Sequence, residues 1–296
     1  MGFLRHTGWT VVLGAIARLP QGALSRVTGR LADVRLPRPL RSSVLSIFAS
    51  LAGIDRTEAE RPIDEYSSVN EFFVRRLRAG ARQWPADEQA IASPVDGILG
   101  QTGRITRGQL VQAKGRLYSA ASLLDDAHSG PHFDGGAFAT IYLSPRHYHR
   151  IHAPASGRIP RARRIPGRLL PVNSAALVRF PELFPLNERA AVRIEGAMGA
   201  IAVVAVGAYN VGRISLAFDA EWGARGASGT VTNRSGEAAE TRVYDPPHPI
   251  RRGDEMMAFH LGSTVVLLFE PGRVMLRGDL VPGREVRLGE VIATGV

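Results

Sequence analysis

The 296-residue chain has no cysteine and a single lysine. Without cysteine there are no disulfides, no thiolate nucleophiles and no Cys-ligated zinc or iron–sulfur sites, and the redox compartment goes unmarked. Lys114 follows Ala113, so the Gly-Lys pair of a GxxxxGK[ST] phosphate loop is missing, and pyridoxal phosphate could form its usual lysine adduct only at Lys114. GxSxG and HExxH are also absent, which removes the nucleophile elbow and the common helical zinc-protease signature. The uncharged, mainly apolar stretch from Gly8 to Ala17 is half of the roughly 20 residues that a membrane span requires.

What is present is arginine. The other 36 of the 37 basic residues are arginines, and the formal charge is +10. Residues 1–50 carry seven arginines against Asp33 alone, so this sixth of the chain supplies most of the excess. Such a field attracts nucleic acid or an anionic membrane surface. The apolar residues between the arginines, from Phe3, Trp9 and Val12 through Leu24, Val27 and Leu31 to Ile47, Phe48 and Leu51, recur at helical spacing, with breaks expected at Pro20, Pro37 and Pro39. A basic amphipathic segment lying in the membrane interface is the reading adopted, with no role for nucleic acid. An ordinary helical subdomain is a second reading. A signal peptide ending near Ala15-Ile16-Ala17 is a third, which the following arginines oppose.

A further helix is predicted over Ser67–Arg78, entered through Ser67 or Ser68. Beyond it lie short segments rich in Val and Ile, separated by glycine and proline: Ile98–Gln101, Phe138–Leu143, Ala190–Ile194, Gly199–Tyr209, Val265–Phe269 and Val286–Ala293. These read as strands. The expected fold class is α+β, with N-terminal amphipathic helices (residues 1–60) followed by a mainly antiparallel β-sheet catalytic body (61–296).

Three places hold chemistry: Ser93-Pro-Val-Asp-Gly97, Tyr142 to His152, and Phe259-His-Leu-Gly-Ser-Thr264. Asp96 before Gly97 also suits a β-turn, and Ser263 beside Gly262 suits a bend before a buried strand. His147, His149 and His152 fall within six residues; on a strand the first two share a face and the third opposes them, so a three-histidine metal site would need a turn, and no metal is expected. Together the three places supply an acid, a base and a hydroxyl, the parts of an activated serine. What such a serine attacks is left open by these residues alone.

The chain resembles the bacterial phosphatidylserine decarboxylases, through Asn70-Glu-Phe-Phe-Val-Arg75, Gln112-Ala-Lys-Gly115, Tyr142-Leu-Ser-Pro, Tyr148-His-Arg-Ile-His152, Val172-Asn173, Leu183-Phe184, Asn187-Glu-Arg189, Gly253-Asp-Glu-Met256 and Leu261-Gly-Ser-Thr264. The resemblance implies a proenzyme. Ser263 attacks the carbonyl of Gly262, and elimination separates a β chain (1–262) from an α chain (263–296) whose first residue becomes a pyruvoyl cofactor. It implies His152 as the base with Asp96 orienting it, and condensation of the pyruvoyl ketone with the amine of phosphatidylserine through a Schiff base. His149 is the candidate proton donor, and phosphatidylethanolamine the product. Lys114 is a candidate substrate contact. A peripheral place on the cytoplasmic side of the cell membrane and a homodimer are further implications. Val95, His147 and Met257 depart from the family's pattern. Deleting residues 1–50 is expected to abolish liposome binding and spare self-cleavage. The alternatives are a membrane-associated Ser/His/Asp hydrolase that never cuts itself and a non-catalytic anionic-lipid-binding module.

Overall fold

A computed structural model describes residues 21–209, 213–222, 232, 238–260 and 263–296, without the side chains of residues 21, 174 and 263. The expected basic segment between Phe3 and Leu19, and the Leu261-Gly262 pair, lie outside the described residues.

The helical front begins with α1 (Gln21–Asp33) and α2 (Arg38–Ala52). Pro39, expected as a break, sits in the first turn of α2, where a missing N–H leaves no bond unmade. Gly53 closes α2 in the left-handed conformation (φ 71°), its N–H reaching the carbonyls of Ala49 and Ser50. Ser68 caps α3 (Val69–Phe73) by accepting from the Glu71 N–H at 3.1 Å. This helix is shorter than the predicted Ser67–Arg78. The Arg76 carbonyl accepts from the Glu60 N–H and the Arg78 N–H donates to the Glu58 carbonyl, both at 2.9 Å, so residues 76–78 are extended against 58–60. Leu45, Ala49, Ile54, Tyr66 and Phe72 form the front's small core.

The body contains β1 (Ala90–Ala92), β2 (Gly97–Arg104), β3 (Gln109–Ala113), β4 (Arg116–Ser119), β5 (Ala137–Leu143), β6 (Arg150–His152), β7 (Gly157–Ile165), β8 (Arg189–Gly196), β9 (Gly199–Val206), β10 (Ile214–Leu216), β11 (Glu240–Ile250), β12 (Glu255–Phe259), β13 (Ser263–Phe269), β14 (Val274–Leu276), β15 (Glu285–Val286) and β16 (Val291–Gly295). Eight form one antiparallel sheet in the order β11-β7-β8-β9-β13-β5-β2-β15; β10-β12-β6 and β1-β16-β14 form two small sheets, and β3-β4 a hairpin. The α+β class and the antiparallel body are as expected.

Both faces of the large sheet are covered, which is why its central strands are apolar runs rather than alternations. On β13, Val265, Leu267 and Phe269 pack towards the small sheets, while Val266 and Leu268 pack beneath the helices α4 (Ala120–Leu124), α5 (Ser174–Arg179) and α6 (Leu183–Leu186) and the hairpin. Two strands of this sheet lacked a sequence signal. β7 carries Arg158, Arg161, Arg163 and Arg164, and β11 carries three prolines, which its place at the sheet edge tolerates. The expected strand Val286–Ala293 is two pieces. Gly289 (φ 87°) turns the chain between β15 and β16 so tightly that a Cβ there would lie 2.2 Å from the Gln83 carbonyl oxygen.

Gly97 permits close packing of β2 on β5: an added Cβ would lie 2.5 Å from Ile141 Cγ2 and 2.7 Å from the Tyr142 oxygen. Gly97→Ala is therefore expected to cost about 1–3 kcal/mol of stability, read as a lower urea midpoint; an unchanged midpoint would show that the two strands have room to part.

Candidate active site

Two chain crossings leave the large sheet side by side. One runs from the end of β5 at Leu143 to β6, and the other returns from β12 to the start of β13 at Ser263. Leu143 and Ser263 are ladder partners. At the far side of the crossing, the Phe259 N–H donates to the His149 carbonyl at 2.9 Å. β2 pairs with the other edge of β5, Ile98 facing Tyr142, so the backbones of residue 97 and Ser263 are two strand spacings apart, roughly 10 Å. The segment ahead of β2 is tied to β6 as well, because the His152 N–H donates to the Pro94 carbonyl at 2.9 Å. The fold thus gathers the three sequence segments that carry Asp96, the histidines and Ser263. The Ser263 side chain and Gly262 lie outside the described residues.

His152 is mostly buried between Trp84 and Tyr148, with ring centroids at 5.9 and 5.6 Å. Its Nδ1 lies 2.7 Å from the Gly253 carbonyl oxygen and its Nε2 lies 3.1 Å from the Tyr148 hydroxyl. A carbonyl only accepts, so Nδ1 carries the proton and Nε2 presents a lone pair to Tyr148. Burial lowers the His152 pKa, against the pull of the Gly253 carbonyl, so the ring is neutral at pH 7. Burial pushes the Tyr148 hydroxyl above its ordinary value and keeps it a donor.

Asp96 has other partners than the expected one. It accepts from Arg82 Nε at 2.9 Å, Arg82 Nη2 at 2.5 Å and the Leu288 N–H at 2.8 Å. Arg82 grips Glu58 equally, at 2.9 and 2.8 Å. Burial opposes the Arg82 charge, but its bonds to Asp96 and Glu58 outweigh that and raise its pKa. The hydrogen-bond partner of His152 Nδ1 is the Gly253 carbonyl, and Asp96, expected to orient His152, is bonded instead to Arg82 and Leu288.

His149 is fully buried against Phe73, with centroids 4.0 Å apart. Its Nδ1 donates to the His147 carbonyl at 2.8 Å and its Nε2 has no partner. Burial drives its pKa down to about 3, and the nearby Arg75 guanidinium adds to the fall. As placed, His149 is a base with a bare lone pair rather than a standing acid. Arg75 is 3% exposed, and its Nε and Nη1 are without partners. His147 caps the crossing: its Nδ1 accepts from the Ser144 N–H at 2.9 Å. Among the described residues, no group of His, Asp or Glu is placed to hold a metal ion.

Lys114 sits apart. It is the first of two positive-φ residues, with Gly115, at the tip of the β3-β4 hairpin, exposed and bonded to no carboxylate. This is the geometry of a tight hairpin turn.

Two clefts open beside Tyr148 and Arg82. One is lined by Asp55, Glu58, Asp96, Arg146 and His147; the other, of about 270 Å³, by Arg76, Arg78, Trp84, His152 and Glu255. Sequence reasoning did not single out Arg82, Gly253, Tyr148 or His260. Of these, Arg82 carried no signal at all, whereas Tyr148 and Gly253 lie within the motifs behind the family resemblance.

The phosphatidylserine decarboxylase family model matches residues 69–294, which hold the whole crossing. The chain belongs to that family. It is 45% identical over 278 residues to a phosphatidylserine decarboxylase proenzyme of Anaeromyxobacter sp. (strain K), covering 94% of this chain and 96% of that one. It is 40% identical to the proenzyme of Myxococcus xanthus (strain DK1622), covering 93% and 94%, and 42% identical to that of Acidovorax ebreus (strain TPSY), with the same coverages. In this decarboxylase, the two crossings and their histidines are the candidate catalytic centre.

His149 and His260 both hold pKa values of about 3 through burial, against 6.5 when free. Below pH 6.5 the unfolded chain takes up protons that these rings refuse. Their contribution is therefore retained above pH 6.5 and lost as pH falls towards 3, at up to about 1.4 kcal/mol per pH unit for each ring. In full-length Ser263→Ala protein, Tm is expected to fall between pH 6.5 and 4.5, and adding His149→Gln should flatten that slope. An unchanged slope would contradict the burial of a neutral His149.

Proposed function

We propose that the chain is a self-processing proenzyme that decarboxylates phosphatidylserine to phosphatidylethanolamine at an anionic membrane surface. The observation that carries this reading is the start of β13. Residue 263 is the first rung of the ladder to Leu143, and the adjoining crossing carries two neutral histidines whose Nε2 atoms hold lone pairs.

In processing, one of these Nε2 atoms takes the Ser263 proton as Oγ attacks the Gly262 carbonyl. The peptide C–N bond breaks and an ester replaces it. Loss of the Ser263 α-proton then expels the Gly262 carboxylate, and hydrolysis of the resulting dehydroalanine releases ammonia and leaves a pyruvoyl group. That group would supply an electrophilic ketone able to take up the electron pair released with carbon dioxide. The residues present fit it: Lys114 is far out on a hairpin, there is no cysteine, and residue 263 opens a strand inside the site.

The substrate amine arrives as an ammonium and must shed a proton before it reacts. His149 Nε2, bare and buried, is the candidate to hand a proton to the carbon that loses its carboxylate. Arg76 and Arg78 at the His152 cleft offer positive charge to an anionic head group.

The hydrolase alternative is disfavoured by the Asp96 contacts. A Ser/His/Asp triad needs a carboxylate on the histidine Nδ1, and the Nδ1 atoms of His149 and His152 both donate to carbonyls.

Peripheral membrane binding is supported by the outer faces of α1 and α2. Val27, Leu31, Ile47 and Leu51 are 50–85% exposed, amid Arg30, Arg35 and Arg38. Among the described residues, no helix is long and apolar enough to cross a membrane.

Intact-mass analysis is expected to give two chains from the wild type, with residue 263 carbonyl-blocked, and one uncut chain from Ser263→Ala. A single uncut wild-type chain would refute the proenzyme reading. Replacing Val27, Leu31, Ile47 and Leu51 by serine is expected to weaken flotation with anionic vesicles by about tenfold or more; unchanged flotation would assign lipid binding elsewhere.

A further inference from the structure

We propose that Asp33, Asn70 and His260 are positioning residues for self-cleavage, forming a relay from the helical front to the chain just ahead of the cut. The inference rests on the proenzyme reading above.

His260 is the last described residue before Ser263, and three bonds hold it. Its N–H donates to the Arg213 carbonyl at 2.9 Å, its Nδ1 accepts from Asn70 Nδ2 at 3.2 Å, and its Nε2 donates to Ser215 Oγ at 3.1 Å. It is 6% exposed and lines neither cleft. Its low pKa agrees with this pattern, because an imidazolium could not accept from Asn70.

The second hydrogen of the Asn70 amide goes to Asp33 Oδ1 at 2.7 Å, while Asn70 Oδ1 is buried without a partner. The donors alone therefore fix the amide. Asp33 ends α1, where the helix dipole disfavours an acid. It is held there by Asn70 and by Arg213 Nη1, which lies 2.5 Å from Oδ2. Arg213 reaches Asp33 across Gly29, where an added Cβ would lie 3.2 Å from Arg213 Cδ. One relay thus ties α1, α3 and the end of β12 together.

The consequence concerns the scissile peptide. Ser263 is fixed from its C-terminal side by the ladder to Leu143, and His260 is fixed on the other side by the relay. Only residues 261 and 262 join the two anchors. Attack by Ser263 Oγ on the preceding carbonyl needs a near-attack geometry, and a loosened anchor spreads the ensemble away from it. The expectation that loss of residues 1–50 spares cleavage is therefore revised, since that deletion removes Asp33.

The test is a time course of chain cleavage during cell-free synthesis of the full-length protein. The variants are Asp33→Ala, Asn70→Ala, His260→Phe and His260→Asn, with the Tm of each measured in the Ser263→Ala background. Asp33→Ala, Asn70→Ala and His260→Phe are expected to lengthen the cleavage half-time by about tenfold or more. His260→Asn, which keeps an acceptor for Asn70, is expected to recover most of the rate at a Tm no higher than that of His260→Phe. A merely structural role would make rate follow Tm across the set, and that result would overturn the relay. Cleavage at the wild-type rate in folded Asp33→Ala and Asn70→Ala proteins would overturn it too. Should His260→Phe fail to fold, Asp33→Ala decides, because the Asp33 side chain is at the partly exposed end of the relay. A wild type that never cleaves would instead refute the proenzyme reading itself.

Discussion

The pairing of β5 with β13 is the constraint on which the rest depends. It sets Leu143 beside Ser263, and both strands are buried on both faces, so a register slip would place polar Thr264 or Thr140 where Val265 and Ile141 now pack. The strand ends are consequently fixed in space. Everything chemical hangs from them: one crossing carries His147, Tyr148, His149 and His152, and the other leads from His260 into Ser263. Non-local strand pairing does here what a contiguous motif does in other enzymes, which is to hold reacting groups in one geometry before any substrate arrives.

Electrostatics explain why an arginine-rich chain holds neutral imidazoles at its centre. The Arg82 guanidinium is committed to Asp96 and Glu58, and Arg150 pairs with Glu255. The acids near the histidines are thereby spoken for, and among the described residues no carboxylate bonds to His149 or His152. Burial then outweighs the pull of the His147 and Gly253 carbonyls and of Glu255 and Asp254, and keeps both rings uncharged. The Asp96 bridge braces the segment from which β2 starts, through Arg82 to residue 58 of the front and through the Leu288 N–H to the chain between β15 and β16. Asp96 is bonded to Arg82 and Leu288 in this geometry, and the histidine tautomers are set by the carbonyls of His147 and Gly253.

The fold class, the central strands and the segments forming the site were legible in the sequence, because apolar runs such as Val265–Phe269 and the clustered histidines are local signals. The partnerships were not. Which group meets His152 depends on where Gly253, a hundred residues away, is folded; the resemblance suggested Asp96, and Arg82 took that acid instead. The helix over Ser67–Arg78 was overrun by tertiary pairing of residues 76–78 with 58–60. β7 was masked by its arginines and β11 by its prolines. The lone lysine, Lys114, sits at a hairpin tip with a positive φ.

The most direct measurement is the tautomeric state of His149 and His152 by nitrogen-15 NMR in full-length Ser263→Ala protein at pH 7. Both rings should be neutral with the proton on Nδ1, leaving Nε2 as the base. Protonation on Nε2, or an imidazolium at either position, would contradict a site built on buried neutral histidines.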